Sequence, residues 1–196
     1  MKLHYAATSP FVRKVSAVAM HHGIALERVD TNPHDSPPHL LVDNPLSKVP
    51  TLVLDNGMVL PDSPLICEYL DSIGTGEKLL PAAGPSRWEA LRLAAMADGI
   101  MTAAVLRRGL SLQPTEAART ALMDRQKAAV FRTLDQLEQE PLPATLSLGV
   151  VGLVCALGYL DFRFSAEDWR ARHPGLAAFF AAQSENPIFA RTVPQA

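Results

Sequence analysis

The run Asn44-Pro45-Leu46-Ser47-Lys48-Val49-Pro50-Thr51-Leu52, followed by Pro61-Asp62-Ser63-Pro64-Leu65-Ile66, constrains the fold more than any other stretch of the chain. Pro50 stands immediately before a β-branched and apolar run, where it cannot donate to a sheet ladder and needs special placement. Between the two segments lies Asp55-Asn56-Gly57, and Asn-Gly is a strong short-range hairpin signal. Asp62 and Ser63 put an acid and a hydroxyl where a helix starts. A strand, a tight turn, a strand and a capped helix therefore fit within residues 44–73.

The rest of the chain extends that pattern. Residues 2–5 read as a strand. Ser9 before Pro10, the apolar periodicity through Val12, Val15, Val18 and Ala19, and Gly23 past the end punctuate a helix. Residues 26–30 alternate as a second strand should, and strand-helix-strand over so short a span implies parallel pairing. Residues 31–46 read as loop with one irregular helix. Strands at 51–54 and 58–60 and a helix from Ser63 to Ser72 follow. This β-α-β-(α)-β-β-α order matches an α/β, thioredoxin-like N-terminal domain over residues 1–75. Gly- and Pro-rich residues 76–86 read as a linker, and residues 87–196 as an all-α C-terminal domain. There the spacing predicts helices from Ser86 to Arg108, Thr115 to Gln139 and Ser147 to Asp161, a capping box at Ser165-Ala166-Glu167-Asp168, and a last helix opened by His173-Pro174.

Composition excludes several classes of function. The 196 residues, 48% of them hydrophobic and 19% charged, can bury a real core. A formal net charge of −2 and only 6% aromatics leave no nucleic-acid footprint. Two cysteines, Cys67 and Cys155, are too few for a disulfide scaffold and point to a reducing, cytoplasmic compartment. The start of the chain lacks the features of a signal peptide. Residues 146–160 are apolar but shorter than the roughly 20 residues a membrane helix needs, so a buried helix and no membrane association are expected. The six histidines show no metal-ligand spacing, so no metal is expected.

Three places could hold a ligand. A trans Pro50 would merely start an edge strand. A cis Val49–Pro50 bond would turn the Val49 N–H and C=O outward, free to pair with an extended peptide, and the surrounding pattern favours this arrangement. Ser63 before Pro64 is a good N-cap. The same helix N-terminus would also receive a carboxylate while Asp62 takes an ammonium, which together make a receptor for a free α-amino acid end. Ser9 is an N-cap and can equally donate a hydrogen bond to a bound thiolate. Such a bond, about 1.5–3 kcal/mol, lowers a thiol pKa by roughly one to two units. Arg13 and Lys14 read as a solvated helix face.

Thr8-Ser9-Pro10-Phe11-Val12-Arg13-Lys14-Val15, the runs at 44–50 and 62–64, Ala97-Asp98-Gly99-Ile100-Met101 and Cys155-Ala156-Leu157-Gly158-Tyr159-Leu160-Asp161-Phe162-Arg163 together resemble a bacterial glutathione transferase, most closely the YibF-like branch. The resemblance implies an enzyme with glutathione as co-substrate and a role in detoxification. Ser9 would stabilise the thiolate for attack on a small electrophile in a mostly apolar pocket. Backbone groups of Phe11 and Val49, beside Pro50, would hold the tripeptide, and Asp62 and Ser63 its γ-glutamyl end. The resemblance further implies a homodimer, in which Asp98 either reaches the partner's glutathione or pairs locally. Pocket walls would be Thr8, Phe11 and the segment from Met101 to Arg108. Arg107 and Arg108 would favour an anionic co-substrate or else lie on the surface. The alternatives are a non-catalytic binding or regulatory module of the same fold, and a disulfide-exchanging enzyme with Cys67 as its thiol.

Overall fold

The computed structural model describes residues 1–194. β1 (Lys2–Tyr5), α1 (Pro10–His21) and β2 (Glu27–Asp30) form the βαβ unit, with Lys2 opposite Glu27 in the parallel pair. A 3-10 turn at Pro33–Asp35 and the short helix α2 (Pro38–Asp43) occupy the loop region. β3 (Thr51–Val53) pairs antiparallel with β1, and β4 (Val59–Pro61) antiparallel with β3, giving the sheet order β2-β1-β3-β4. α3 (Ser63–Ile73) follows and packs against α1.

The turn between β3 and β4 is longer than the Asn-Gly signal suggests. Gly57 donates to the Leu54 carbonyl at 2.9 Å, and Leu54 donates to the Met58 carbonyl at 2.9 Å. Only Gly57 enters the left-handed region, at φ 84°. Asn56 stays out of it and uses its side-chain oxygen to accept the Met58 N–H at 3.0 Å. The extra turn residue moves β4 one position later than 58–60.

Beyond residue 84 the structure is helical: α4 (Pro85–Ser111), α5 (Ala117–Glu138), α6 (Leu148–Phe164), α7 (Trp169–Arg172), α8 (Pro174–Ser184) and α9 (Pro187–Ala190). Ser147 caps α6 by accepting the Val150 N–H at 3.2 Å. α6 lies directly on α4, and glycine makes that possible. A Cβ on Gly149 would stand 2.7 Å from the Ala90 carbonyl oxygen. The stretch Leu148–Glu167 is longer than expected and holds an 18-residue window of mean hydropathy 1.5, apolar enough to cross a membrane; 72% of that window is buried inside the protein. That burial marks it as a core helix.

The capping box expected at 165–168 does not form. Residues Ser165–Glu167 make a 3-10 turn, and Asp168, at φ 34°, caps α7 by accepting the Ala171 N–H at 3.3 Å. Glu167 is drawn instead to the buried Arg107 guanidinium, with Nη1 donating at 3.1 Å. A charge taken out of water needs its partner more than a short helix needs a second cap. The apolar core is one continuous cluster, from Leu3, Val15, Leu52 and Ile66 through Ile100 to Leu153 and Leu157.

Candidate functional site

Ser9, Val49 and Ser63 each stand at the start of a regular element or just ahead of one. Ser9 caps α1, accepting the Val12 N–H at 3.3 Å. Its oxygen is used as an acceptor, so the hydroxyl proton is left to donate. Ser9 is half-buried, as is Phe11, the second residue of the helix.

The Val49–Pro50 bond is cis. Among the described residues neither the Val49 N–H nor its carbonyl has a hydrogen-bond partner. The loop that presents them is braced from beneath by Asn44, which is 2% exposed. The Asn44 amide donates to Thr51 Oγ1 at 2.8 Å and to the Lys48 carbonyl at 3.3 Å, and its oxygen accepts the Leu46 N–H at 3.0 Å. Thr51 Oγ1 donates to the same Lys48 carbonyl at 2.8 Å. Sequence reading missed this bracing role of Asn44 and Thr51. The Asn-Pro pair, a turn signal, was the available clue.

At α3 the cap falls one residue earlier than expected. Asp62, not Ser63, is the cap: its Oδ1 accepts the Ser63 N–H at 2.7 Å. Asp62 sits at φ 73°, a conformation rare for a residue with a side chain and concentrated at functional sites. Ser63 is the first helical residue, fully buried, and its Oγ has no hydrogen-bond partner among the described residues. A buried hydroxyl left unpaired costs about 1–3 kcal/mol. The free N–H groups of the first turn and the helix dipole stand beside it.

Asp98 on α4 is tied within its own chain. Lys14 Nζ donates to Asp98 Oδ1 at 2.5 Å. Burial raises the Asp98 carboxyl above its usual range against the pull of Lys14, and the Asp62 charge adds to the rise. Lys14 and Arg13 are therefore not a solvated face; they are 3% and 7% exposed. α1 is covered on that side by α4, α6 and α9, so its long cations must run inward to partners there. Arg13 donates to the Phe189 carbonyl at 3.3 Å.

The pocket walls change similarly. Met101 is wholly buried and Arg107 nearly so, leaving Val105 and Arg108 as the half-buried members of that segment. Cys67 and Cys155 are buried. Desolvation pushes their thiols up to about 12 and about 11, which removes Cys67 as a disulfide-exchanging group. A cavity of about 430 Å³ between the ends of α5 and α8 shares no residue with this site.

A thioredoxin-like sheet with an unpaired Val49 backbone beside the N-terminus of α3 at Asp62–Ser63, followed by a helical half, defines the class of fold. Comparison with known proteins narrows the class. The glutathione S-transferase N-terminal domain matches residues 3–78, and the C-terminal domain of the same family residues 120–182. The chain is 33% identical to the uncharacterized GST-like protein YibF of Escherichia coli K12, over 99% of this chain and 98% of that protein. It superposes at TM-score 0.92 and 39% identity on a glutathione transferase family member from Pseudomonas fluorescens Pf-5 with bound glutathione, over 100% of this chain and 99% of that one. A second structure from the same source, with bound S-(propanoic acid)-glutathione, gives TM-score 0.87 and 38% identity over 100% of both chains. The chain belongs to the glutathione S-transferase family.

Proposed function

We propose that the protein is a glutathione transferase that binds reduced glutathione along the Val49 loop and the start of α3, and activates its sulfur at Ser9. The observation that carries this reading is the Ser63 hydroxyl, buried without a partner at a helix N-terminus. The α-carboxylate of the γ-glutamyl end supplies the missing acceptor there, and Asp62 takes the ammonium. The tripeptide backbone pairs with Val49 N–H and C=O as a short added strand. The thiolate then lies at the N-terminus of α1, where the Ser9 hydroxyl donates to it and the helix dipole favours its charge. Ordinary thiols, with a pKa near 8.5, are only a few per cent ionised at pH 7. One charge-assisted hydrogen bond, at about 1.5–3 kcal/mol, makes a large fraction of the sulfur nucleophilic.

The S-(propanoic acid)-glutathione bound by the Pseudomonas relative supports a carbon electrophile, with space beyond the sulfur for a short carboxylate-bearing chain. Half-buried Val105 and Arg108 would line that space. In this reading the chain acts as a homodimer of two-domain subunits, divided at residues 76–86. Asp98, positioned by Lys14, keeps its second carboxylate oxygen for the neighbouring glutathione.

Replacing Ser9 with Ala separates this enzyme from a non-catalytic module. Turnover with an activated aryl halide should fall about ten- to a hundredfold, matching one to two units of lost thiol acidification. Glutathione affinity should change only a few-fold. The thiolate absorbance of the bound complex should shift to higher pH by the same one to two units. Unchanged thiolate titration in S9A, or no binding of the native chain at millimolar glutathione, overturns the proposal.

A further inference from the structure

A second polar cavity, of about 110 Å³, lies between the end of β1, α1, β2 and the segment that follows α9. Tyr5, Arg13, Ser16, Arg28, Arg191 and Thr192 contribute to its lining. It includes none of Ser9, Phe11, Val49, Asp62 or Ser63. Voids that stay empty inside proteins are apolar; this one is faced by three guanidinium groups and a hydroxyl. At about 30 Å³ for each water, its volume suits an oxyanion of four or five heavy atoms.

Two of its buried polar groups are unspent: Arg13 Nε and Ser16 Oγ have no hydrogen-bond partner among the described residues. Arg28 lies over the Tyr5 ring, 4.7 Å from Cζ to the ring centre. Several other arginines are paired with carboxylates: Arg87 with Glu68, Arg92 with Glu140, Arg107 with Glu167, Arg170 with Asp161 and Arg172 with Asp135. Among the described residues, no carboxylate stands within ion-pair distance of Arg13, Arg28 or Arg191. A guanidinium cannot shed its proton at any physiological pH. Three of them lining one small cavity, one of them buried, give it a positive field that favours an anion, and the fork geometry of a guanidinium suits a two-oxygen grip.

We propose that this cavity is an oxyanion-binding site separate from the glutathione groove, taking a phosphate or carboxylate group between Arg13, Arg28 and Arg191.

Inorganic phosphate is the probe. The native chain and its Arg28→Ala/Arg191→Ala variant are titrated with it calorimetrically at constant ionic strength. Those two side chains are exposed, so the variant is expected to fold and to keep its glutathione affinity. Phosphate binding at one site by the native chain, weakened at least tenfold in the variant, supports the site. The proposal is overturned if the native chain does not bind phosphate, or if the variant binds it as well as the parent. None of these readouts depends on glutathione chemistry.

Discussion

α6 and the rim formed by residues 44–63 treat polar groups in opposite ways. In α6 every residue from Leu148 to Leu160 is buried. Its first turn is capped by Ser147, and the Leu148 N–H is taken by the Leu79 carbonyl at 2.9 Å. At the rim, Val49 keeps both backbone groups unpaired, Ser63 buries an orphan hydroxyl, and Ser47 and Asp62 hold positive φ angles of 50° and 73°. The first region puts its free energy into packing. The second withholds hydrogen bonds that a ligand can complete. Stability and binding are thus assigned to different residues, and substitutions in the two regions should move different observables.

The largest effect belongs to the packed side. Leu153 is wholly buried within α6. Leu153→Ala should cost about 2–5 kcal/mol by lost transfer energy plus the cavity left behind. Chemical denaturation measures that loss, and glutathione affinity per folded molecule should hold. An equal fall in affinity would mean that the core also sets the rim geometry, and the contrast would fail.

An intermediate effect sits where α4 meets the end of α6. Arg107 is 4% exposed, lies 4.2 Å over the Phe164 ring and is clasped by Glu167, with Lys127 at 3.3 Å from the same carboxylate. Breaking a fully buried pair costs about 3–5 kcal/mol. Glu167 is partly open to water, so Glu167→Gln should cost less, about 2 kcal/mol. Burial pushes the Glu167 carboxyl up, but Arg107 and Lys127 outweigh it and hold the group below the usual carboxylate range. The unfolded chain therefore binds the proton more readily than the native one. The contribution is complete above the ordinary glutamate pKa and fades as pH falls through the lowered native value. Denaturation of wild type and E167Q should thus differ at pH 7 and converge in acid. A constant difference would leave shape rather than charge as the cause.

Much of this was legible in the sequence because local chemistry and global placement agree. Ser9-Pro10 and Gly23 delimit α1, the proline-flanked runs locate β3 and α3, and the apolar stretch after Ser147 is the core helix. The misreadings share a different cause. Lys14, Arg13 and Arg107 look like surface charge in sequence, and Glu167 like part of a helix cap; only the packing of α1, α4 and α6 turns the cations inward and pairs Lys14 with Asp98 and Arg107 with Glu167. The shift of the cap from Ser63 to Asp62 depends on a backbone angle that no spacing encodes. Asn44 braces the Val49 loop through contacts made four and seven residues away, which a turn signal does not specify.

The smallest change in stability should accompany a large change in binding, and it tests the contrast most directly. Ser63→Ala removes a buried hydroxyl that satisfies no partner in the free protein. Because an unpaired buried polar group costs about 1–3 kcal/mol, its removal should leave stability unchanged or raise it by up to about 1 kcal/mol, the methyl filling less space than the hydroxymethyl. Glutathione binding should weaken at least tenfold, about 1.4 kcal/mol, since the γ-glutamyl carboxylate loses a donor held in place by α3. Thermal denaturation without ligand and calorimetric titration with reduced glutathione read the two effects separately. The same pair of measurements on Asp62→Asn, which keeps the cap oxygen but removes the charge facing the ammonium, should show weaker binding at near-constant stability. If Ser63→Ala instead destabilises the free protein and binds glutathione normally, the hydroxyl serves the fold, and the rim loses its distinction from α6.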